Sequence, residues 1–337
     1  MAKIVLGMVA SHGPLLGTPP ELWTGRVQAD IQNPALAFRG KTYDFEALSK
    51  LREAENFGPQ IELPVRQKRY DACQKAIAEL ARVFAETRPD VVVMLGNDQM
   101  EIMGDDNQPA FMVCHADRLD NVPFSEEQKK RLGPGVAVAE PNHHPSTPKT
   151  YPGHPALGLH LIRKLMEQNF DVASSRVLPE RPESRLTGLP HAFGFFYQRV
   201  MGDTAPPTVP VFTNTFYPPN QPTARRCLDF GTAIARAVEA WDSDLRVAII
   251  GSGGMSHFVV DEKFDREFLE AFANRDPGPL LSFPENYYVS GNSELKNWIP
   301  TKSAMDAAGL KMTLVDYQPL YRSLAGTGSG MGFAYWR

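Results

Sequence analysis

The chain has 337 residues, 42% of them hydrophobic and 22% charged, with a net charge of −4 and a pI near 6.1. This is ordinary globular composition, and without a block of like charge it gives no electrostatic reason to expect nucleic acid or membrane as a partner. Cys73, Cys114 and Cys227 are far apart and outside any C-x-x-C spacing, which argues against a disulfide framework or a cysteine metal site. No apolar run reaches the ~18 residues of a membrane helix, so a cytoplasmic protein with a small-molecule ligand is expected.

In chain order, Ile4 to Val9 reads as a buried strand rather than a signal peptide, and it ends at Ser11-His12-Gly13-Pro14. The stretch from about 17 to 69 is rich in prolines and charges and reads as an irregular insertion of the kind that forms lids or substrate walls. Its arginines and lysines could bind a substrate carboxylate, and none is singled out. Cys73, Ile77, Leu80 and Phe84 recur at helical spacing, and Val91 to Leu95 forms a fully apolar strand that ends in the polar cluster Asn97 to Glu101.

A strand at Ala110 to Cys114 leads into a second insertion, about 115–152, in which His143 and His144 read as solvated loop. Gly153-His154-Pro155 opens a helix with Leu157, Leu161, Ile162 and Leu165 on its apolar face. A short strand at Asp171 to Ser174 and a proline- and arginine-rich loop lead to Leu189-Pro190-His191-Ala192-Phe193-Gly194. Val209 to Phe216 is a strand, and Thr223 to Trp241 a long amphipathic helix with Cys227, Ile234 and Val238 inward.

Val247 to Ile250 is a buried strand running into Gly251-Ser252-Gly253-Gly254-Met255-Ser256-His257, with Glu262 at the start of the next helix. Glu294 to Ala308 reads as helix, Leu310 to Asp316 as strand, and 326–332 as a glycine-rich tail without the Gly-Lys-Ser/Thr ending of a phosphate loop. Strands alternating with helices predict a three-layer α/β/α fold with a largely parallel or mixed central sheet, in one domain spanning 1–337.

Such a fold gathers its strand ends, and here those ends carry His12, Asn97 to Glu101, His154 with His191, and His257 to Glu262. Histidines and one carboxylate from separate strand ends are what a mononuclear non-haem iron site uses. Plain structural readings stand beside this: a turn for His12, a helix-start carboxylate for Glu262 and a cap for Asp98.

The residues at these points resemble the class III extradiol dioxygenases, the family of protocatechuate 4,5-dioxygenase catalytic subunits and the gallate and 3-O-methylgallate dioxygenases. The resemblance rests on Ser11-His12-Gly13-Pro14, Gly96-Asn97-Asp98, Gly153-His154-Pro155, Pro190-His191-Ala192-Phe193-Gly194 and, most specifically, Gly251 to His257. It implies an Fe(II) enzyme that opens a catecholic ring with O₂, acting on a substituted aromatic acid and assembled as a homo-oligomer. It further implies that His12 and Glu262 are iron ligands, that His191 is the acid–base histidine, that His154 contacts substrate and that His257 braces its loop.

One departure stands out. Where the family has Asn-Asp-His, with the histidine as second iron ligand, this chain has Asn97-Asp98-Gln99. Gln99 offers a neutral carbonyl oxygen, weaker toward Fe(II) than imidazole. The alternatives are that Asp98 replaces it, that His115, His143 or His144 reaches the site, or that the chain is a divergent lyase or hydrolase or a non-catalytic binding paralogue.

Overall fold

The computed structural model describes residues 1–133, 135–181, 184, 186–202 and 204–337; part of the proline- and arginine-rich loop before Leu189 lies outside these. The strands are β1 (Lys3–Ala10), β2 (Leu36–Phe38), β3 (Lys41–Tyr43), β4 (Val91–Gly96), β5 (Phe111–Cys114), β6 (Arg118–Asn121), β7 (Lys149–Pro152), β8 (Ala173–Ser175), β9 (Thr208–Thr213), β10 (Arg246–Ser252), β11 (His257–Val259), β12 (Met312–Tyr321) and β13 (Thr327–Trp336). The helices are α1 (Val27–Gln32), α2 (Phe45–Leu51), α3 (Leu63–Thr87), α4 (Glu126–Arg131), α5 (Pro155–Glu167), α6 (His191–Phe196), α7 (Ala224–Glu239), α8 (Glu262–Ala273), α9 (Gly278–Leu281) and α10 (Leu295–Ala307).

Nine strands form one mixed sheet in the order β11-β13-β1-β10-β4-β9-β5-β8, with β12 paired to β13. The central strands β1, β10, β4 and β9 run parallel, so their carboxyl ends open on the same edge. Alternate residues of each strand feed opposite faces. Val91, Val93, Leu95, Val247 and Ile249 cluster with Phe230, Ile234 and Val238 of α7 and Trp298 of α10. Val92, Met94, Ala248 and Ile250 cluster with Ile77, Leu80 and Val83 of α3 and Phe193 of α6. Burial on both faces is why these strands read as continuous apolar runs, and the result is a three-layer α/β/α fold.

One element differs from expectation. The glycine-rich stretch 326–332 is no tail: it belongs to β13, which is buried along its whole length and pairs antiparallel with β1, β11 and β12. Its glycines hide the strand from a reading by apolar pattern, because they leave room for Met255 and Asp265 where a side chain would clash. Helix α10 is buried on every side from Leu295 to Met305, and it meets α7 where the Pro300 carbonyl occupies the space a Cβ on Gly231 would need.

The insertion at 17–69 holds α1, α2 and the β2–β3 hairpin, and a buried ion pair ties it to the sheet. Arg322 donates to both oxygens of Asp30 at 2.7 and 2.6 Å, and Thr327 Oγ1 donates to the same carboxylate at 2.6 Å. The insertion at 115–152 holds α4 and the β6–β7 hairpin.

Candidate functional site

His12 leaves the end of β1, Gln99 the end of β4, and Gly253-Gly254 the end of β10, at adjacent parallel strands. The crevice outside the carboxyl ends of such strands is where α/β folds bind ligands. The fourth side, from the chain that enters α10, brings Glu294 over the Gly253-Gly254 turn. The Glu294 carbonyl lies 2.5 Å from where a Cβ on Gly253 would stand, and a Cβ on Gly254 would run into the His257 ring. The glycines therefore make room for a carboxylate that arrives from forty residues further along.

Metal-ligating atoms of His12, His191 and Glu294 all lie within 4.8 Å of one another. His12 and Glu294 are each 2% exposed, so neither has bulk water to complete its hydrogen bonds. The His12 Nδ1 lies 2.9 Å from Ser252 Oγ, whose single proton goes to the Ala192 carbonyl at 2.5 Å. Ser252 must therefore accept from Nδ1–H, and the bare lone pair of His12 Nε2 faces Glu294 Oε2 at 3.5 Å. Burial lowers the His12 pKa, partly offset by Glu294, and keeps the imidazole neutral at physiological pH. Two buried acceptors aimed at each other call for a cation between them.

Glu294 is held ionised. Burial works against the charge, but the positive charge held among the surrounding histidines His12, His257 and His191 brings the carboxyl well below the usual carboxylate range. Its Oε2 accepts the Gly254 N–H at 2.7 Å, and its Oε1 accepts the Gln99 amide at 2.7 Å. The His191 Nδ1 donates to Glu101 Oε2 at 2.7 Å, which leaves its Nε2 for the cluster. Burial alone would strip the proton from His191. The Glu101 carboxylate, with Glu294 and Asp98 beyond it, more than offsets this and raises the group to about 9. A cation among these groups acts in the opposite direction and favours the free base. Two imidazoles and a carboxylate form a donor set suited to Fe(II), so the residues fit such an ion.

The structure thus brings His12 and His191 together, sets Gln99 beside them through Glu294, and separates the other expected residues. Glu262 is not at the centre. Between His257 and Glu262 the chain pairs as β11 with residues 327–329 of β13, beyond the end of β1 and opposite β12, and this carries Glu262 away from the strand ends into the first turn of α8. There it accepts from Tyr321 Oη at 2.9 Å and Arg266 at 3.2 Å, lining a separate cavity of about 280 Å³ with Arg39 and Asp261. Asp98 does not turn inward either: its two oxygens accept the N–H groups of Glu101, Ile102 and Met103 at 3.2, 3.1 and 3.1 Å. The His154 Nδ1 accepts the Leu157 N–H at 3.1 Å and caps α5, so that nitrogen is engaged in structure rather than aimed at the centre.

His257 lies against Glu294, 3.7 Å from Nε2 to Oε2, with its Nδ1 on the Met255 carbonyl at 2.7 Å. His143 and His144, expected in solvent, are 6% and 1% exposed. The His143 ring packs edge-on against those of His12 and His191, and its Nδ1 donates to the His191 carbonyl at 3.2 Å. Among the basic residues of 24–69, Arg39 pairs with Asp261 and Arg52 with Glu55, whereas buried Arg66 keeps Nε and Nη1 without partners. Glu294 escaped the sequence reading as a site residue because it reaches the centre through tertiary contacts, and His143, expected only as one of three histidines that could reach the site, is singled out by contacts of the same kind. The one local trace was a carboxylate at the start of a segment that reads as helix.

An α/β/α fold that gathers two histidines and a carboxylate outside the carboxyl ends of its parallel strands is the frame of a protein that could hold a metal ion there. Residues 56–326, well over half the chain, match the family described as the catalytic LigB subunit of aromatic ring-opening dioxygenase, and the chain belongs to that family. It is 31% identical over 169 residues to a gallate dioxygenase of Pseudomonas putida, covering 46% of each chain. It is 26% identical over 196 residues to a 2,3-dihydroxyphenylpropionate/2,3-dihydroxicinnamic acid 1,2-dioxygenase of Comamonas testosteroni, covering 58% of this chain and 51% of that one. A dioxygenase of the same description from a Rhodococcus species is 24% identical over 318 residues, with 78% and 91% covered. The chain spans about half the length of the first two relatives. Among the described residues, no helix is long and apolar enough to cross a membrane.

Proposed function

We propose that the chain is an extradiol ring-cleavage dioxygenase that takes a substituted catechol bearing an acid side chain, with Fe(II) held by His12, His191 and Glu294. The observation that carries this is the bare His12 Nε2 facing the ionised Glu294 in a buried cluster that His191 completes. Bound there, the ion would draw charge from the two catechol oxygens, favour their deprotonation and bring O₂ into reach. The gallate and dihydroxyphenylpropionate of the relatives' names support this substrate class.

The protein's own part is orientation and proton handling. Ser252 and Glu101 fix the rings of His12 and His191 from behind. His143 is held neutral by burial and by its neighbours His191 and His12, and with Nδ1 donating to a carbonyl it keeps Nε2 free to take a catechol proton. His191, expected as the acid–base group, serves in this reading as a ligand, because Gln99 presents an N–H to Glu294 and not a lone pair to the ion. A cytoplasmic location and a homo-oligomer complete the reading.

Anaerobic reconstitution with Fe(II), followed by oxygen uptake with gallate, protocatechuate and 2,3-dihydroxyphenylpropionate, tests it. Stoichiometric iron with uptake and a ring-opened, coloured product is expected. Protein that holds no iron contradicts the dioxygenase reading. Iron without uptake on any catechol favours a binding paralogue.

A further inference from the structure

We propose that Glu101 is the positioning residue of this centre, holding His191 so that its Nε2 supplies the coordination that Gln99, with its amide N–H turned to Glu294, does not; the proposal rests on reading His12, His191 and Glu294 as the metal-binding set. One oxygen, Glu101 Oε2, accepts both the ring Nδ1–H of His191 at 2.7 Å and its backbone N–H at 3.3 Å. The same atom thus fixes where α6 begins and which way its first side chain points.

Glu101 is held in turn. The three N–H groups of Glu101, Ile102 and Met103 converge on Asp98, and the Glu101 carbonyl accepts from Leu186 N–H at 3.3 Å. The loop after β4 therefore delivers a carboxylate to the back of a histidine ring. His12 is served in the same way on the opposite side, by Ser252 Oγ at 2.9 Å. A metal-binding histidine commonly donates its second ring N–H to a carboxylate or other acceptor, which fixes the tautomer and raises the basicity of the ligating nitrogen. A side chain only 13% exposed, and paired among the described residues with His191 alone, matches that role rather than a surface ion pair.

The test compares wild type with Glu101→Gln and Glu101→Asp. Anaerobic Co(II) affinity is measured by calorimetry, and the ring N–H proton signals of selectively ¹⁵N-labelled histidine are recorded in the metal-free protein, with His191 assigned from a His191→Asn sample. The wild-type His191 Nδ1–H is expected far downfield, as a proton shared with a carboxylate. Glu101→Gln is expected to move that signal upfield and to weaken Co(II) binding by about 10- to 100-fold, with Glu101→Asp falling between the two. A merely structural role would lower the melting temperature and leave both readouts in place. Unchanged Co(II) affinity in folded Glu101→Gln overturns the proposal. If that variant does not fold, wild-type affinity and signal position in Glu101→Asp overturn it. If wild type itself binds no Co(II), the metal reading fails, and the N–H signal alone decides: an unmoved signal overturns the hold of Glu101 on His191.

Discussion

At the residue scale, the centre turns on two glutamates in similar settings. Glu262 and Glu294 both start helices, and both precede apolar residues, yet only Glu294 faces His12. Glu294→Gln is expected to abolish stoichiometric Co(II) binding, since it removes the only carboxylate of the cluster. Glu262→Gln is expected to leave the affinity within about twofold, as substitutions away from a site do; one calorimetric titration of each variant separates them. Gln99 invites the opposite experiment. Its amide bonds Glu294 Oε1 at 2.7 Å, so an imidazole placed there stands beside the carboxylate. Gln99→His is expected to tighten metal binding by about tenfold, roughly 1.4 kcal/mol. Unchanged affinity in that titration means that position 99 does not face the ion.

At the scale of elements, helix α10 read as a helix over Glu294 to Ala308, but the carboxylate it carries to the centre at its start was not marked, and strand β13, which flanks β1, was the least visible element in the sequence. Helix α10 carries apolar and polar residues all round because neighbours cover every side, so no amphipathic stripe marks which end matters. The insertion at 17–69 is anchored by Asp30, whose carboxylate takes two N–H groups of Arg322 and the hydroxyl of Thr327. Removing one partner of a buried pair leaves the other charge without compensation, and here Arg26 lies close to Arg322 as a second cation. Asp30→Ala is expected to cost about 3–5 kcal/mol. Urea denaturation should show this as a lower midpoint, while an unchanged midpoint would mean that the pair is solvated in solution.

At the scale of the whole molecule, stability and chemistry both depend on carboxylates enclosed by the fold. Burial raises Asp265 to about 7, although Ser256 and Tyr317 donate to it from both sides. The unfolded chain releases that proton near 3.8, so between the two values the folded protein holds a proton that the unfolded chain has lost. The resulting stability is fully present below the unfolded value and is lost as pH rises through the folded one. Asp265→Asn is therefore expected to flatten the fall in stability between about pH 4 and 7 relative to wild type. Denaturant midpoints across that range check it, and parallel curves for the two proteins contradict it.

The sequence by itself determined the sheet's central strands, the family and the two histidines that follow a strand end or open a helix, because apolar runs, glycine turns and their spacing are local properties of the chain. Only the tertiary structure decided which carboxylate serves them. Glu262 is five residues from His257 along the chain, but β11 pairs with the start of β13 and carries it off, whereas Glu294 is folded back over the Gly253-Gly254 turn. Proximity along the chain and proximity in space part at that turn, since hydrogen-bonded pairing and the room left by two glycines determine what reaches a crevice.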